Sequence, residues 1–206
     1  MAQRFLTEVL GPAALAAQEH AYGRRQRVAP TAERDALGPD ESAFIGERDS
    51  FYIATLTSTG WPYVQHRGGP RGFLRVLDAH TLAFADLRGN RQLVTTGNAA
   101  SDPRASLILV DYPRRERLKI LGHVRVVDAS ADPALTQALA PAPELRSRVE
   151  RLFVVDVVGF DWNCPAYITP RYTQAEVEQA TAPLRQRIAE LEARIRAIPS
   201  GVPDLP

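Results

Sequence analysis

Two short polar stretches interrupt an otherwise apolar part of the sequence, and their side chains could bind an anion. The first, residues 88–92 (RGNRQ), directly follows a β-type run and opens a helical-looking segment at 91–100. A helix start offers unpaired backbone N–H groups and about half a positive charge. Guanidinium groups add paired donors that match a phosphate. The stretch therefore fits a phosphate site, and it also fits a helix start exposed to solvent.

The second stretch, residues 65–69 (QHRGG), ends an apolar strand one hairpin earlier in the chain. Gln65, His66 and Arg67 are polar where a purely structural strand would continue apolar. Gly68 and Gly69 allow a ligand to approach the backbone closely. Together the two stretches supply a phosphate anchor and, some strand lengths away, donors and a cation beside which a flat ring could lie.

The motifs of several catalytic classes are absent from the sequence. It contains no G-x-S-x-G, no G-x-x-x-x-G-K-[ST], no H-E-x-x-H and no G-x-G-x-x-G after a strand. The four histidines stand singly, without a carboxylate or thiolate at ligand spacing, so we expect no metal site. Cys164 is the only cysteine, which excludes a disulfide framework. Without a recognisable histidine partner, it is expected to be a structural thiol.

Composition limits the partners of the chain. Of the 206 residues, 25 are basic and 24 acidic, so the net charge of +1 gives no field that attracts nucleic acid or an anionic membrane. Charged residues interrupt the first 20 positions, which therefore do not read as a secretory signal. No apolar run approaches the ~20 residues of a membrane helix. These features predict a soluble, cytoplasmic protein.

The candidate residues lie within a series of β-type runs. Runs rich in Val, Ile, Leu, Phe and Tyr, closed by Gly, Pro, Asp or Ser, indicate consecutive antiparallel strands. We predict a mainly β fold with flanking helices. Its strands are predicted at 51–57, 62–67, 74–77, 81–87, 105–112, 117–127 and 151–160, and its internal helices at 91–100 and 132–139.

The flanks of this region read as helical. Residues 4–22 show helical spacing broken at Gly11-Pro12, and a polar linker with a short helix after Asp40 follows. Thr173 and Glu176 form a capping-box pattern before a last helix that Pro183 is expected to break. We therefore divide the chain into an N-terminal helical extension and linker (1–40), a barrel (41–172) and a C-terminal helical extension (173–206).

The last helix carries a short seam of apolar residues at alternating spacings of four and three. Such a seam is typical of a/d positions that dock on the same domain or on a symmetry mate. Its members are Leu184, Ile188, Leu191, Ile195 and Ile198.

The order of these motifs resembles a known family. A QHRGG strand, AFAD-x-RGNRQ before a helix, a DPRA strand, a YPRRERLK strand and a late DWNCP resemble the pyridoxamine 5'-phosphate oxidase-like flavoproteins. The resemblance covers about residues 40–172. It implies a six-stranded antiparallel split barrel of Greek-key type and a homodimer with FMN at the subunit interface.

The resemblance also implies which positions contact FMN. They are Asn90, Arg91 and Gln92 for the phosphate; Gln65, His66, Arg67 and Gly68 on the strand along the ring; Phe84, Ala85 and Asp86 for the ribityl chain; Arg117 or Lys119 for the phosphate or ring; and Trp162 and Asn163 from the partner subunit. In the family's vitamin oxidases a lysine stands in place of Gln92.

The implied activity is electron transfer between a nicotinamide nucleotide, or a deazaflavin, and a small organic acceptor or oxygen. Hydride transfer requires no side-chain acid or base, so no catalytic residue is named; Arg67 beside the ring would favour the reduced flavin. Vitamin oxidases carry a C-terminal arginine and histidine segment that this chain replaces with WNCPAYITPRYT, so we do not expect vitamin B6 oxidation. The alternatives are a flavin carrier or sensor without turnover, a relative that binds the deazaflavin F420, and a barrel that only binds other proteins.

Overall fold

The structure, a computed structural model, describes residues 3–89, 91–140, 142–162 and 166–197. The chain divides into two compact units, one formed by residues 1–111 and 115–168 and the other by residues 112–114 and 169–206. Within the described ranges, no helix has both the length and the apolar content needed to cross a bilayer.

The described residues form helices at both ends of the chain and strands between them. The helices are α1 (Gln3–Val9), α2 (Pro12–Tyr22), α3 (Pro39–Gly46), α4 (Val94–Ser101), α5 (Pro133–Leu139), a 3₁₀ helix (Pro143–Arg148) and α6 (Gln174–Arg196). The strands are β1 (Ser50–Leu56), β2 (Pro62–Gly68), β3 (Arg75–Asp78), β4 (Thr81–Leu87), β5 (Arg104–Asp111), β6 (Glu116–Asp128) and β7 (Val149–Trp162).

The first unit is built on one antiparallel sheet with the strand order β2-β1-β5-β6-β7-β4-β3. This confirms the expected mainly β fold with flanking helices. The sheet has seven strands rather than the six that the resemblance implies, since each of the seven apolar runs in the sequence forms a strand. It is open, because β2 pairs only with β1 and β3 only with β4 within the described residues.

The core of this unit lies on the concave side of the sheet. Phe51, Phe84 and Phe153 are at most 1% exposed, and the rings of Phe84 and Phe153 stack with centroids 5.0 Å apart. Alternate residues of β1 and β5 are buried, as expected for strands with one face on a core. The burial of such large apolar side chains is the main force that curls the sheet around them.

The N-terminal helix is fixed to β7 through one carboxylate. Asp35 accepts hydrogen bonds from the backbone N–H groups of Arg4 and Phe5, at the start of α1, and from that of Phe160 on β7. The close approach requires a glycine at position 159, since a Cβ there would lie 2.6 Å from Phe5 N. α1 therefore packs on β7 because Gly159 leaves room for its backbone.

Two helix predictions need correction. The helix expected at 91–100 begins at Val94, because Arg91 (φ 61°) and Leu93 (φ 54°) are left-handed and cannot continue a helix. Pro183 does not break the last helix, which runs from Gln174 to Arg196 with the proline inside it. The Thr173–Glu176 capping box is confirmed.

Candidate functional site

The polar residues of β2 separate onto two faces because side chains alternate along a strand. Tyr63, Gln65 and Arg67 are half-buried and point to the concave side, whereas Val64 and His66 are exposed on the other side. Arg67 lies opposite Phe51 of β1 in the register of the sheet. β2 thus presents a tyrosine, an amide and a guanidinium to the interior.

Arg67 belongs to a three-residue ionic network. Its Nη1 lies 2.8 Å from Oδ1 of Asp86 on β4, and Nε of Arg151 on β7 lies 3.2 Å from Oδ2 of the same carboxylate. All three side chains are at most 17% exposed. The Arg67 guanidinium also lies over the Phe153 ring, 5.1 Å from its centroid. Two cations therefore share one anion at the top of the aromatic core, where electrostatic interactions are weakly screened.

The segment between β4 and α4 completes the site. Arg91 and Leu93 both adopt left-handed backbone, which non-glycine residues rarely adopt and which is frequent at functional sites. α4 is tied to the sheet by two hydrogen bonds: Thr95 Oγ1 donates to Gln65 Oε1 at 2.6 Å, and Asn98 Nδ2 donates to Thr55 Oγ1 at 2.9 Å. These bonds hold the loop before α4 against β2.

The elements enclose a cavity of about 230 Å³. Its described lining consists of Tyr63, Gln65, Arg67, Asp86, Leu87, Gly89, Arg91, Gln92, Leu93, Val94, Thr95, Thr96 and Arg151. Three of these residues are arginines and one is a carboxylate, so the described lining carries an excess of positive charge. An anion is the ligand that this arrangement favours.

A further ion pair borders the cavity. Arg88 Nε lies 3.1 Å from Oε1 of Glu150, and Arg151 Nη2 lies 2.7 Å from Oε2 of the same side chain. The hydrogen bond from Arg88, with a smaller contribution from Arg151, holds the pKa of Glu150 below its ordinary value. Glu150 therefore stays ionised and binds Arg151 through Nη2, while Asp86 contacts Nε of the same guanidinium.

A second cavity, of about 760 Å³, lies at the N-terminal end of the first unit. It is lined by residues of α1, α2 and the stretch after α2, including Leu6, Leu15 and Arg24. None of the residues predicted to bind a ligand lines it, and its greater volume reflects an open groove between surface segments.

Five of the predicted site residues line the 230 Å³ cavity: Gln65, Arg67, Asp86, Arg91 and Gln92. His66 lies on the outer face of β2, with its ring 5.4 Å from that of Tyr52. Gly68, the last residue of β2, is exposed. Arg91 and Gln92 precede the helix start by three and two residues, so their donors come from the loop instead of the first helical turn.

The other predicted residues lie elsewhere in this chain. Phe84 is part of the core beneath Arg67, and Ala85 packs on the opposite side of β4 against a second apolar cluster. Lys119 pairs with Asp161 at 2.8 Å.

Arg117 and Trp162 are also outside the described lining. Arg117 is half-buried at the start of β6, and its Nε has no hydrogen-bond partner among the described residues. Trp162 Nε1 donates to Glu41 Oε1 at 2.7 Å. Asn90 and Asn163 lie outside the described residues.

Sequence reasoning missed four polar residues of the lining. Tyr63 could have been found from its two-residue spacing to Gln65 and Arg67. Thr95 and Thr96 follow the RGNRQ stretch directly, but threonine is too common at helix starts to be a signal. Arg151 had no local signal, because it joins the site only through the pairing of β7 with β4, which places it opposite Asp86.

The site fits the phosphate-bearing end of FMN. Arg67 Nε is buried and, among the described residues, has no hydrogen-bond partner, so one charged donor remains for a ligand oxygen. A volume of about 230 Å³ is below the roughly 300–1,000 Å³ of pockets that enclose a whole drug-sized ligand. The cavity thus suits a phosphate and the start of its chain, and the flavin ring would extend beyond the described lining.

A comparison with protein families identifies the family of the chain. A sequence model of the family described as pyridoxamine 5'-phosphate oxidase matches residues 38–156, more than half of the chain. The chain belongs to this family. The match includes β1 to β6, α4 and Arg151, and therefore the whole described lining of the cavity.

Solved structures with related folds share little sequence with the chain. A putative pyridoxamine 5'-phosphate oxidase from Lactobacillus delbrueckii has 15% identity and a TM-score of 0.48, over 63% of this chain and 97% of that one. HupZ from Group A Streptococcus has 14% identity and a TM-score of 0.48, over 60% and 91%. An F420 reductase has 18% identity and a TM-score of 0.43, over 60% and 98%. Similarity at this level does not indicate which ligand the chain binds. No curated protein sequence gives a significant match.

Proposed function

We propose that the protein is an FMN-dependent oxidoreductase whose 230 Å³ cavity holds the FMN phosphate. The observation that carries the proposal is the charge of the described lining, in which Arg67, Arg91 and Arg151 outnumber the single carboxylate of Asp86. This leaves the lining with more positive than negative charge and with an unbonded Arg67 Nε. The proposed reaction moves electrons between a nicotinamide nucleotide and a small organic substrate in the cytoplasm.

Each residue of the lining has a distinct proposed role. Arg91 is exposed at the cavity mouth and would neutralise the phosphate charge. Arg67 would donate through Nε, while Asp86 fixes the orientation of its guanidinium. Gln92, where vitamin oxidases have lysine, would contribute an amide donor. Bound FMN supplies the hydride chemistry, and the residues of the chain bind it, orient it and set the local charge.

FMN retention after desalting tests the phosphate anchor. The wild type, mixed with FMN and desalted, should keep a flavin absorbance band, and Arg91→Ala should lose most of it. Arg115→Ala is the matched control, because Arg115 is also an exposed arginine with positive φ (58°) but lies in the β5–β6 turn, away from the cavity. Equal retention by both variants would refute the role of Arg91.

The same samples separate the alternatives. Reduction of the bound flavin by NADH or NADPH supports an oxidoreductase, whereas tight FMN that neither nucleotide reduces indicates a carrier or sensor. A wild type that retains added F420 but no FMN would indicate that the anion site binds the deazaflavin. Retention of neither cofactor would overturn the proposed function.

We further propose that the chain forms a homodimer through the outer face of β1 and β2, and that the FMN ring reaches the edge of this interface when the phosphate lies in the cavity. Tyr52 and Val64 are 42% and 60% exposed on this face, and Trp61, in the turn between the two strands, is 73% exposed. Contiguous exposed apolar side chains mark interaction surfaces. Val64→Glu should therefore weaken FMN retention. Leu77→Glu, at a 44% exposed position on β3, should leave it unchanged.

A further inference from the structure

Helix α6 carries an apolar seam that the described residues of its own unit leave exposed. The helix starts at a capping box, with Glu176 N donating to Thr173 Oγ1 at 3.2 Å, and none of its residues is buried. The exposed seam residues are Val177 (46%), Leu184 (65%), Ile188 (56%), Leu191 (40%) and Ile195 (67%). Surface helices of soluble proteins normally bury such a stripe.

The spacing of the seam is that of a coiled coil. Val177, Leu184 and Leu191 recur every seven residues as d positions, and Ile188 and Ile195 fall at a positions. The 23-residue helix is long enough for about three heptads. Pro183 falls at a c position, away from the seam, and the helix continues through it. The a and d positions are therefore apolar from Leu184 to Ile195, and Thr181 is the polar a position between Val177 and Leu184.

The residue types and charges beside the seam select the occupant. In parallel coiled coils, isoleucine at a with leucine at d favours two strands. In that arrangement the g residue Arg187 faces the e residue of the next heptad, Glu192 of the partner subunit. Antiparallel pairing would instead place g residues against g residues, and both Arg187 and Arg194 are cationic. We propose that α6 pairs in parallel, in register, with α6 of a second copy of this chain.

This inference goes beyond the proposed function but relies on its homodimer for strength. About three heptads are marginal for two free helices. Two sheet units already held together would raise the effective concentration of the helices to the mM range. A parallel in-register pair is also two-fold symmetric, which is the symmetry of the proposed homodimer.

Disulfide cross-linking of the full chain tests the parallel arrangement. Cys164→Ser removes the only cysteine, and Leu191→Cys is then added at a d position. Parallel, in-register pairing places residue 191 next to its own copy, so mild oxidation should cross-link this variant at least about tenfold faster than a cysteine outside the seam. Ala193→Cys, at an f position of the same helix, is the matched control. Equal cross-linking rates for the Leu191→Cys and Ala193→Cys variants would overturn the inference. Sedimentation of the wild type would then test the proposed homodimer separately.

A charge exchange in the Leu191→Cys background tests the pairing of α6 with itself. Arg187→Glu places two glutamates together across the interface, and Glu192→Arg places two arginines together. Each should slow cross-linking several-fold, and the double variant should restore the rate because the opposite charges face each other again. Slow cross-linking in the double variant, with helix content unchanged by circular dichroism, would contradict the assigned register.

Discussion

Arg67 on β2 and Asp86 on β4 form an ion pair with Nη1 and Oδ1 2.8 Å apart, although four strands separate β2 from β4 in the sheet. The pair therefore crosses the interior between two distant parts of one curled sheet. Arg151 reaches the same carboxylate from β7, beside β4. One side of the candidate site is thus built by sheet pairing and the other by the curvature that brings β2 over the core.

Loss of the shared carboxylate should destabilise the protein. Asp86→Asn leaves Arg67 and Arg151 without their common counter-ion in a site where all three side chains are at most 17% exposed. We expect a loss of about 2–3 kcal/mol in the free energy of unfolding, below the 3–5 kcal/mol typical of fully buried pairs. Denaturant unfolding would measure it.

Asp156→Asn provides the control for this prediction. Asp156 Oδ2 lies 3.9 Å from Arg125 Nε, and the side chains of Asp156 and Arg125 are 43% and 58% exposed. A loss of no more than about 0.5 kcal/mol is expected there. Similar losses in the two variants would show that the Asp86 network is not stabilising.

Asn98 should be required to hold α4 on the sheet. Asn98→Ala removes the bond to Thr55 Oγ1, and since Asn98 and Thr55 are 7% and 3% exposed, water does not readily replace it. The expected cost is about 1–3 kcal/mol in unfolding free energy. Ser101→Ala, which loses only an exposed 3.3 Å bond to Gly97 O, should change stability little. Thermal unfolding of both variants would distinguish an anchored helix from a loosely packed one.

Gly159→Ala should disrupt the packing of α1 on β7. The new Cβ would lie 2.6 Å from Phe5 N and 2.8 Å from Asp35 Oδ2, so the backbone of α1 must move. We expect a loss of about 1–3 kcal/mol, with faster amide exchange at Phe5. Gly97→Ala, inside α4 with nothing within 4 Å of the added methyl, should instead stabilise by about 0.5–1 kcal/mol. Unchanged exchange at Phe5 in Gly159→Ala would contradict the prediction.

The pKa of Asp102 should lie well below the ordinary value of an aspartate. The Arg104 guanidinium donates to its carboxylate and lowers its pKa from 3.8 to about 2. Because the folded pKa lies below the unfolded one, the stabilising effect is complete above about pH 4 and is lost as the pH falls towards 2.

An NMR titration of the Asp102 carboxyl checks this prediction. The midpoint should rise towards 3.8 in Arg104→Ala, since the main cause of the depressed pKa is removed. Arg125→Ala, which removes an arginine from the next strand, should leave the midpoint near 2. A midpoint near 3.8 in the wild type would refute the pairing.

The elements of the site could be predicted from sequence, but part of its lining could not. The apolar runs located all seven strands, and polar residues within apolar runs pointed to Gln65 and Arg67. The helix after RGNRQ was placed three residues too early, because no sequence signal marks Arg91 and Leu93 as left-handed. The contribution of Arg151 depends on strand pairing between residues 65 positions apart.

The sequence by itself determined the strand pattern, the family and the polar, arginine-containing character of the 65–69 and 88–92 stretches, since periodicity and residue type are local properties. The tertiary structure decided which of those side chains meet. Alternation along β2 turns Arg67 inward and His66 outward, and the curvature of the sheet brings Arg67 to Asp86. Both depend on contacts between apolar residues that are far apart in the chain. Such contacts cannot be inferred from a local sequence pattern.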